Sequence, residues 1–259
     1  MKPLQITTIL LLFLSIFVPS YAQKLKPVNV TLMSFNVQHG VSNDGKTNLL
    51  KIVELIKKYK PDAVLIQEID SGVVKSGKLN QLKTLSLLTG YEPIFGCMKV
   101  ASGGKTGLGI LTKHPYDNLQ IMPLPTPETS EEKLMLSVVL KLPNFRSLRL
   151  CNVQLDEKST LNRGVQAAVM NKTLEMSQYP IVWAGDFVDS VEDPTLDFLP
   201  KKWDDAGVEQ DLITHLPTQT RRSFFWTLKN SNVTLCEYKV LSEPKLSAHQ
   251  PLMATFEIR

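Results

Sequence analysis

The sequence predicts a mixed α/β fold in which packed β-sheets are covered by helices. Three observations predict it. The runs Ala63-Val64-Leu65-Ile66 and Ile181-Val182-Trp183-Ala184 are apolar without interruption, as strands buried on both faces are. Segments with helix-period apolar spacing alternate with strands. The middle and C-terminal parts are rich in short strands separated by hairpin-length gaps. At 43% hydrophobic and 21% charged residues, the chain can fill a core, and its length suits one large α/β domain.

The first 22 residues stand apart. Lys2 precedes an apolar run from Ile6 to Val18, broken at Pro19, and Ser20-Tyr21-Ala22 places small residues at the −3 and −1 positions before Gln23. This is the pattern of a secretory signal peptide. A membrane anchor is the alternative, but the run is shorter than the ~20 residues a spanning helix needs. No cysteine stands at the cut, which argues against a lipid anchor. The expected product is a monomeric domain over 23–259, exported and either periplasmic or secreted, with no transmembrane segment after cleavage.

Along the domain, residues 30–37 read as a strand. A helix follows over 46–59, with Leu49, Ile52, Val53 and Ile56 on one face and Pro61 ending it. Residues 62–68 are a buried strand. Leu79, Leu82 and Leu85 mark a second helix, closed by Gly90. Strands are expected at 91–95, 108–112, 134–140 and 147–154, a third helix at 160–176, and a strand at 180–186. Three more strands close the chain, at 224–228, 234–241 and 252–258.

Charge and cysteines limit the function classes. The net charge of +4 falls to +3 without Lys2, a mild excess that tolerates an anionic ligand without demanding nucleic acid. Three cysteines leave at least one thiol unpaired in an exported protein; Cys151 sits in an apolar strand, while Cys97 and Cys236 leave a disulfide open. Ser102-Gly103-Gly104-Lys105-Thr106 imitates the end of a phosphate-binding loop, but the glycine required five positions before Gly104 is Lys99. A polar hairpin turn accounts for it better.

Two strands run from a proline through apolar residues to a carboxylate, ending at Glu68 and at Asp186. Carboxylates at the ends of buried strands can converge on one rim, where oxygen ligands suit a hard cation such as Mg²⁺. Taken singly, each acid could instead mark a strand leaving the core. The order of segments decides between these. Met33-Ser34-Phe35-Asn36-Val37, Leu65-Ile66-Gln67-Glu68-Ile69 and Gly107 to Pro115 are followed by Asn152-Val153-Gln154-Leu155-Asp156. Arg163 with Gln166, Gly185-Asp186-Phe187 and Ser247-Ala248-His249-Gln250-Pro251 complete the set. This succession resembles the endonuclease/exonuclease/phosphatase superfamily, with its DNase I-like fold, over nearly the whole mature chain.

The resemblance implies a four-layer sandwich: two mixed β-sheets packed face to face and flanked by helices. It also implies hydrolysis of phosphoesters with Mg²⁺, or Mn²⁺ as the alternative, on a phosphorylated small molecule or a phosphodiester; nucleic acid stays open. By this resemblance Asn36 orients the metal region and Glu68 binds the metal. Asp186 aligns or deprotonates the attacking water, and His249 contacts the scissile phosphate. Four other positions depart from the pattern. A histidine is replaced by Gln154, an asparagine by Val188, an aspartate by Phe224 and another aspartate by Ala248. Each lost preorganised donor costs about 2.7–4 kcal/mol of transition-state stabilisation, and Gln154 cannot carry a proton as histidine does. The expected protein is therefore a degenerate hydrolase with weak or lost activity. The alternatives are a live phosphodiesterase or phosphatase with relocated ligands, a non-catalytic receptor for an anionic ligand, or a protein-binding scaffold. Asp189, Asp204 and Asp205 are candidate substitute acids, with solvated loop positions as the other reading. His39, His114 and His215 have no partner identifiable from the sequence.

Overall fold

A computed structural model describes residues 25–42, 46–129, 131–187, 199–207, 212–229 and 231–259. The expected signal peptide, Val188 and Asp189 lie outside the described residues.

Among the described residues, twelve strands form two six-stranded sheets. One has the order β11-β12-β1-β2-β4-β3, built from β1 (Val28–Asn36), β2 (Ala63–Ser71), β3 (Glu92–Ala101), β4 (Gly104–Thr112), β11 (Val233–Val240) and β12 (Leu252–Ile258). The other has the order β5-β6-β7-β8-β10-β9, from β5 (Tyr116–Leu124), β6 (Lys133–Lys141), β7 (Ser147–Gln154), β8 (Ile181–Asp186), β9 (Trp203–Asp205) and β10 (Ser223–Leu228). The expected sandwich of two mixed sheets is what forms.

Each sheet holds one parallel pair at its centre, β1 with β2 and β7 with β8. A parallel pair needs a crossover. Helix α1 (Leu49–Tyr59) lies in the first crossover and α3 (Thr160–Leu174) in the second. The C-terminal ends of both pairs carry the polar motif residues: Asn36 and Glu68 on one sheet, Gln154 and Asp186 on the other.

Packing follows strand alternation. Leu32, Leu65, Ile110, Leu136, Leu150, Val182, Ala184 and Phe225 fill the layer between the sheets. Met33, Val64 and Ile66 face outward onto Ile52, Val53 and Ile56 of α1 and Leu82 and Leu85 of α2 (Gln81–Thr89). Trp183, Phe187, Phe224 and Trp226 face outward onto Ala167, Met170 and Leu174 of α3.

Local chemistry sets the helix ends. Asn80 caps α2 by accepting from Lys83 N, and Gly90 closes it in the left-handed region, where glycine pays no Cβ penalty. Leu79 precedes that cap and is exposed, so it is not part of the helix. Ser159 caps α3 by accepting from Asn162 N.

Three features depart from expectation. Strand β5 was not anticipated, because it is an edge strand with mostly exposed residues and no apolar alternation. The short β9, after the four-residue α4 (Leu199–Lys202), was also missed. Asp204 and Asp205 are therefore strand residues rather than loop positions. Asp205 is buried against Arg221 at 2.5 Å, so it does not replace a missing site acid. The Gly-rich segment is a hairpin turn as expected: Ser102 and Gly103 both have positive φ between paired Ala101 and Gly104, as a type I′ loop requires. All three cysteines are free, and burial pushes the Cys151 thiol up to about 12.

Candidate functional site

The polar ends of the two parallel pairs meet across the sandwich. Asn36, fully buried at the end of β1, donates from Nδ2 to Glu68 Oε1 at 2.7 Å and to Asp186 Oδ2 at 2.8 Å. One amide thus ties the two sheets together. Gln154, at the end of β7, donates to the same Glu68 oxygen at 2.7 Å. His249 Nδ1 lies 3.5 Å from Asp186 Oδ2 and has no hydrogen-bond partner among the described residues. The four residues expected at the site are therefore brought to one place.

Backbone geometry supports this placement. Glu68 has φ 55, at an irregularity where the β2–β4 register shifts between Ile66 and Ile69. An extra residue in a strand re-aims the side chain beside it. A non-glycine residue in the left-handed region is strained and persists where its surroundings over-determine it; here two amides grip the carboxylate.

One expected replacement moves by a residue. Ser223, not Phe224, is paired with Asp186, and Phe224 is paired with Gly185. Opposed residues in an antiparallel ladder share a face. Phe224 therefore points outward, where it meets Phe187 edge to face and stacks on Trp226. Ser223 is the residue beside Asp186, and its buried Oγ has no hydrogen-bond partner among the described residues. The sequence alone could not separate two adjacent positions on opposite faces.

The other motif residues brace the fold. Asn152 donates to Ile66 O and Gly109 O, both at 2.9 Å, bonding the two sheets together. Asp156 accepts from Lys158 N and Ser159 N at the start of α3, and Gln166 accepts from Asp156 N. Burial opposes ionisation of Asp156, but bonds from Asn162, Ser159, Lys158 and Thr129 prevail and bring its carboxyl to about 2.

Several site residues carried no signal in the sequence. Gln38, His39 and Gly40 have φ of 46, 61 and 61, three successive left-handed residues. The segment is fixed from three sides. Gln81 donates from Nε2 to His39 O at 2.5 Å. Gln38 N donates to Asn36 Oδ1 at 3.0 Å. Gln38 Oε1 accepts from Ala248 N at 2.8 Å and lies 3.0 Å from Ser247 Oγ. His39 Nδ1 then lies 3.0 Å from Asp70 Oδ1 and Nε2 lies 3.7 Å from Glu68 Oε2. The hydrogen bond to Asp70, helped by the charges of Asp70 and Glu68 and opposed by burial and Lys99, raises the His39 imidazole above its ordinary value. His215 pairs with His249 in an isolated bridge, ring centroids 4.6 Å apart. His114 lies 3.4 Å from Asp62, away from the site.

The model of the Endonuclease/Exonuclease/phosphatase family matches residues 33–150, a stretch that contains Asn36 and Glu68 but ends before Asp186 and His249. An endonuclease/exonuclease/phosphatase from Beutenbergia cavernae superposes with a TM-score of 0.75 at 18% identity, covering 89% of this chain and 72% of that one. The fold is that of the endonuclease/exonuclease/phosphatase superfamily, the DNase I-like fold. Other DNase I-like structures agree. The human Nocturnin catalytic domain with bound sulfate anion gives a TM-score of 0.71 at 16% identity, covering 90% of this chain and 97% of that one. A mannosyl-6-phosphatase from Bacteroides thetaiotaomicron gives 0.72 at 14%, covering 88% and 99%. No curated protein matches the sequence.

In this DNase I-like cleft the donor set limits cation binding. Among the described residues, no group of three or more His, Cys, Asp or Glu is arranged to hold a metal ion. Glu68 has Oε1 committed to two amides, while Oε2 lies 3.7 Å from His39 Nε2. A compartment of about 270 Å³ lies there, lined by Glu68, Gln154, Glu131, Glu132, Glu157 and Lys133, among others. Desolvation, then the charge of Glu68, hold the Glu157 carboxyl above its ordinary value, with Asp186 and Glu131 adding and Lys133 opposing. A hard divalent cation there would be held by Glu68 as its one protein carboxylate and completed by water and ligand oxygens.

Proposed function

We propose that this protein recognises phosphoesters in a cleft inherited from metal-dependent hydrolases, with catalysis that is weak or lost. One observation carries the reading. Asn36, Glu68, Asp186 and His249 share one cluster, while the positions beside them hold Gln154, Ser223 and Ala248, which are uncharged and transfer no proton at neutral pH.

The residues divide the work as follows. A divalent cation, Mg²⁺ or Mn²⁺, would be held by Glu68 and would supply charge stabilisation at a phosphoryl oxygen. Asn36 holds Glu68 and Asp186 at fixed separation, which removes the need to reorganise them. Asp186, buried and beside His249, is placed to accept a proton from water. His249 Nδ1 is a buried group without a bond of its own, the condition in which a ligand oxygen is welcome. Asp186 has Ser223 for its strand partner, so no second carboxylate there orients the imidazole. Gln154 holds Glu68 in place but cannot shuttle a proton.

A phosphorylated small molecule or a phosphodiester is the expected ligand class, and nucleic acid is one arm of the test. Purified mature protein is incubated with Mg²⁺ or Mn²⁺ and a panel of activated phosphodiesters, phosphomonoesters and plasmid DNA. The reading expects calorimetric binding of a phosphorylated ligand with slow or no turnover. Rapid cation-dependent turnover that disappears in Glu68→Ala and Asp186→Ala would establish a live hydrolase and overturn the depletion. No binding of any phosphate-bearing probe would overturn the cleft itself. The export proposal is separate: expression in a secreting host should yield a monomer whose N-terminal residue is Gln23.

A further inference from the structure

Beside the Glu68 compartment lies a second cavity of about 430 Å³, lined by His39, Asp70, Val73, Lys75, Lys99 and Thr106, among others. His39, Lys99 and Thr106 line both spaces. The volume falls in the range of small-ligand pockets, and a phosphoryl group alone is far smaller.

The wall between the two spaces is built at a cost. His39 sits in the middle of three left-handed residues, and two of the three are not glycine. Gln81 ties this stretch to β2, donating to His39 O and accepting from Asp70 N at 2.9 Å. Strain of this kind collects at ligand clamps.

Charge separates the two spaces. Asp70 is buried, and its carboxylate already accepts from Thr106 Oγ1 at 2.5 Å and bonds His39 at 3.0 Å. Its negative charge is therefore compensated within the wall. Lys75 and Lys99 are exposed on the lining, and neither forms an ion pair among the described residues. Val73 adds an apolar surface. The Glu68 compartment is rich in carboxylates, whereas the second cavity has Asp70 as its one acid among the described residues, adds Lys75 and shares Lys99.

We propose that this cavity is a second subsite, in which Lys75 and Lys99 take a second anionic group of a compact phosphoester while His39 forms the wall shared with the phosphoryl compartment. The proposal rests on the phosphoester reading above and adds the ligand's second charge and its small size.

Titration calorimetry in Mg²⁺ tests it with fructose 6-phosphate, fructose 1,6-bisphosphate, 6-phosphogluconate and a twelve-residue oligothymidylate. The bisphosphate and the phosphogluconate should bind at least about tenfold more tightly than the monophosphate, because charge-assisted bonds exceed neutral ones. In the Lys75→Ala variant, which leaves Lys99 on the shared wall, that advantage should be lost while fructose 6-phosphate still binds. A preference for the bisphosphate but not the phosphogluconate would restrict the subsite to phosphate. Equal binding of all three sugars, or a preference that survives undiminished in Lys75→Ala, overturns the subsite and leaves the phosphoester reading intact. Tighter binding of the oligothymidylate than of any sugar overturns the compact ligand. Failure of every probe overturns the subsite together with the reading it rests on.

Discussion

Gln154 donates to Glu68 at 2.7 Å, on the same carboxylate oxygen that accepts from Asn36. The carboxylate is therefore clamped by two neutral amides. Replacing Gln154 with leucine should leave one buried bond to Glu68 unmade, at about 1–3 kcal/mol. Thermal denaturation should show a loss of several degrees. If the melting temperature is unchanged, the clamp is not structural.

Asn36 bridges the two sheets, so its loss should cost more. Asn36→Ala removes one hydrogen bond from Glu68 and one from Asp186 together and brings the two carboxylates closer to facing each other unshielded. The expected loss is about 2–4 kcal/mol, read by urea denaturation. Divalent cation should recover part of it, because a cation neutralises the facing acids. An Asn36→Ala protein as stable as the parent would show that the bridge contributes nothing.

The register at β8–β10 makes Ser223 and Phe224 experimentally distinct. Ser223→Asp together with Ala248→Asp places carboxylates near His249 and should raise Mg²⁺-dependent cleavage of bis(p-nitrophenyl) phosphate. Phe224→Asp should instead abolish folding, since it buries a charge among Phe187 and Trp226. A folded, active Phe224→Asp protein would reverse the assignment.

Acid stability should fall in two windows. Burial, reinforced by His249 and Arg222 and opposed by Asp186, depresses the His215 imidazole from 6.5 to about 4. The unfolded chain then binds the proton first, so this contribution is complete above pH 6.5 and is lost as pH falls toward 4. Asp156 is depressed from 3.8 to about 2, so its contribution is complete above pH 3.8 and is lost as pH falls toward 2. Each is worth roughly 1–2 kcal/mol. His215→Asn should flatten the upper window of a stability-versus-pH curve and Asp156→Asn the lower one.

Much of this arrangement was legible in the sequence, for physical reasons. Strands β2 and β8 are buried on both faces, so their apolar runs announce themselves and their terminal acids stand out. Helix α1 shows its buried stripe at Leu49, Ile52, Val53 and Ile56. Strand β5 was invisible because its exposed edge needs no apolar pattern. The partition at His39 was invisible because it depends on Gln81 and Ala248, which lie far along the chain, fixing an unusual backbone. Ser223 was missed because a one-residue shift in a ladder reverses the face, and only the pairing with Asp186 reveals it.

Strand β12 lies between β11 and β1, and Val28 pairs with Ile258. Among the described strands, the earliest in the chain thus waits for the latest. A growing polypeptide cannot complete this sheet until the seven-residue β12 has left the ribosome. Until then one edge of β1 offers unpaired amides to any neighbour, which makes the nascent form the state most exposed to misassembly.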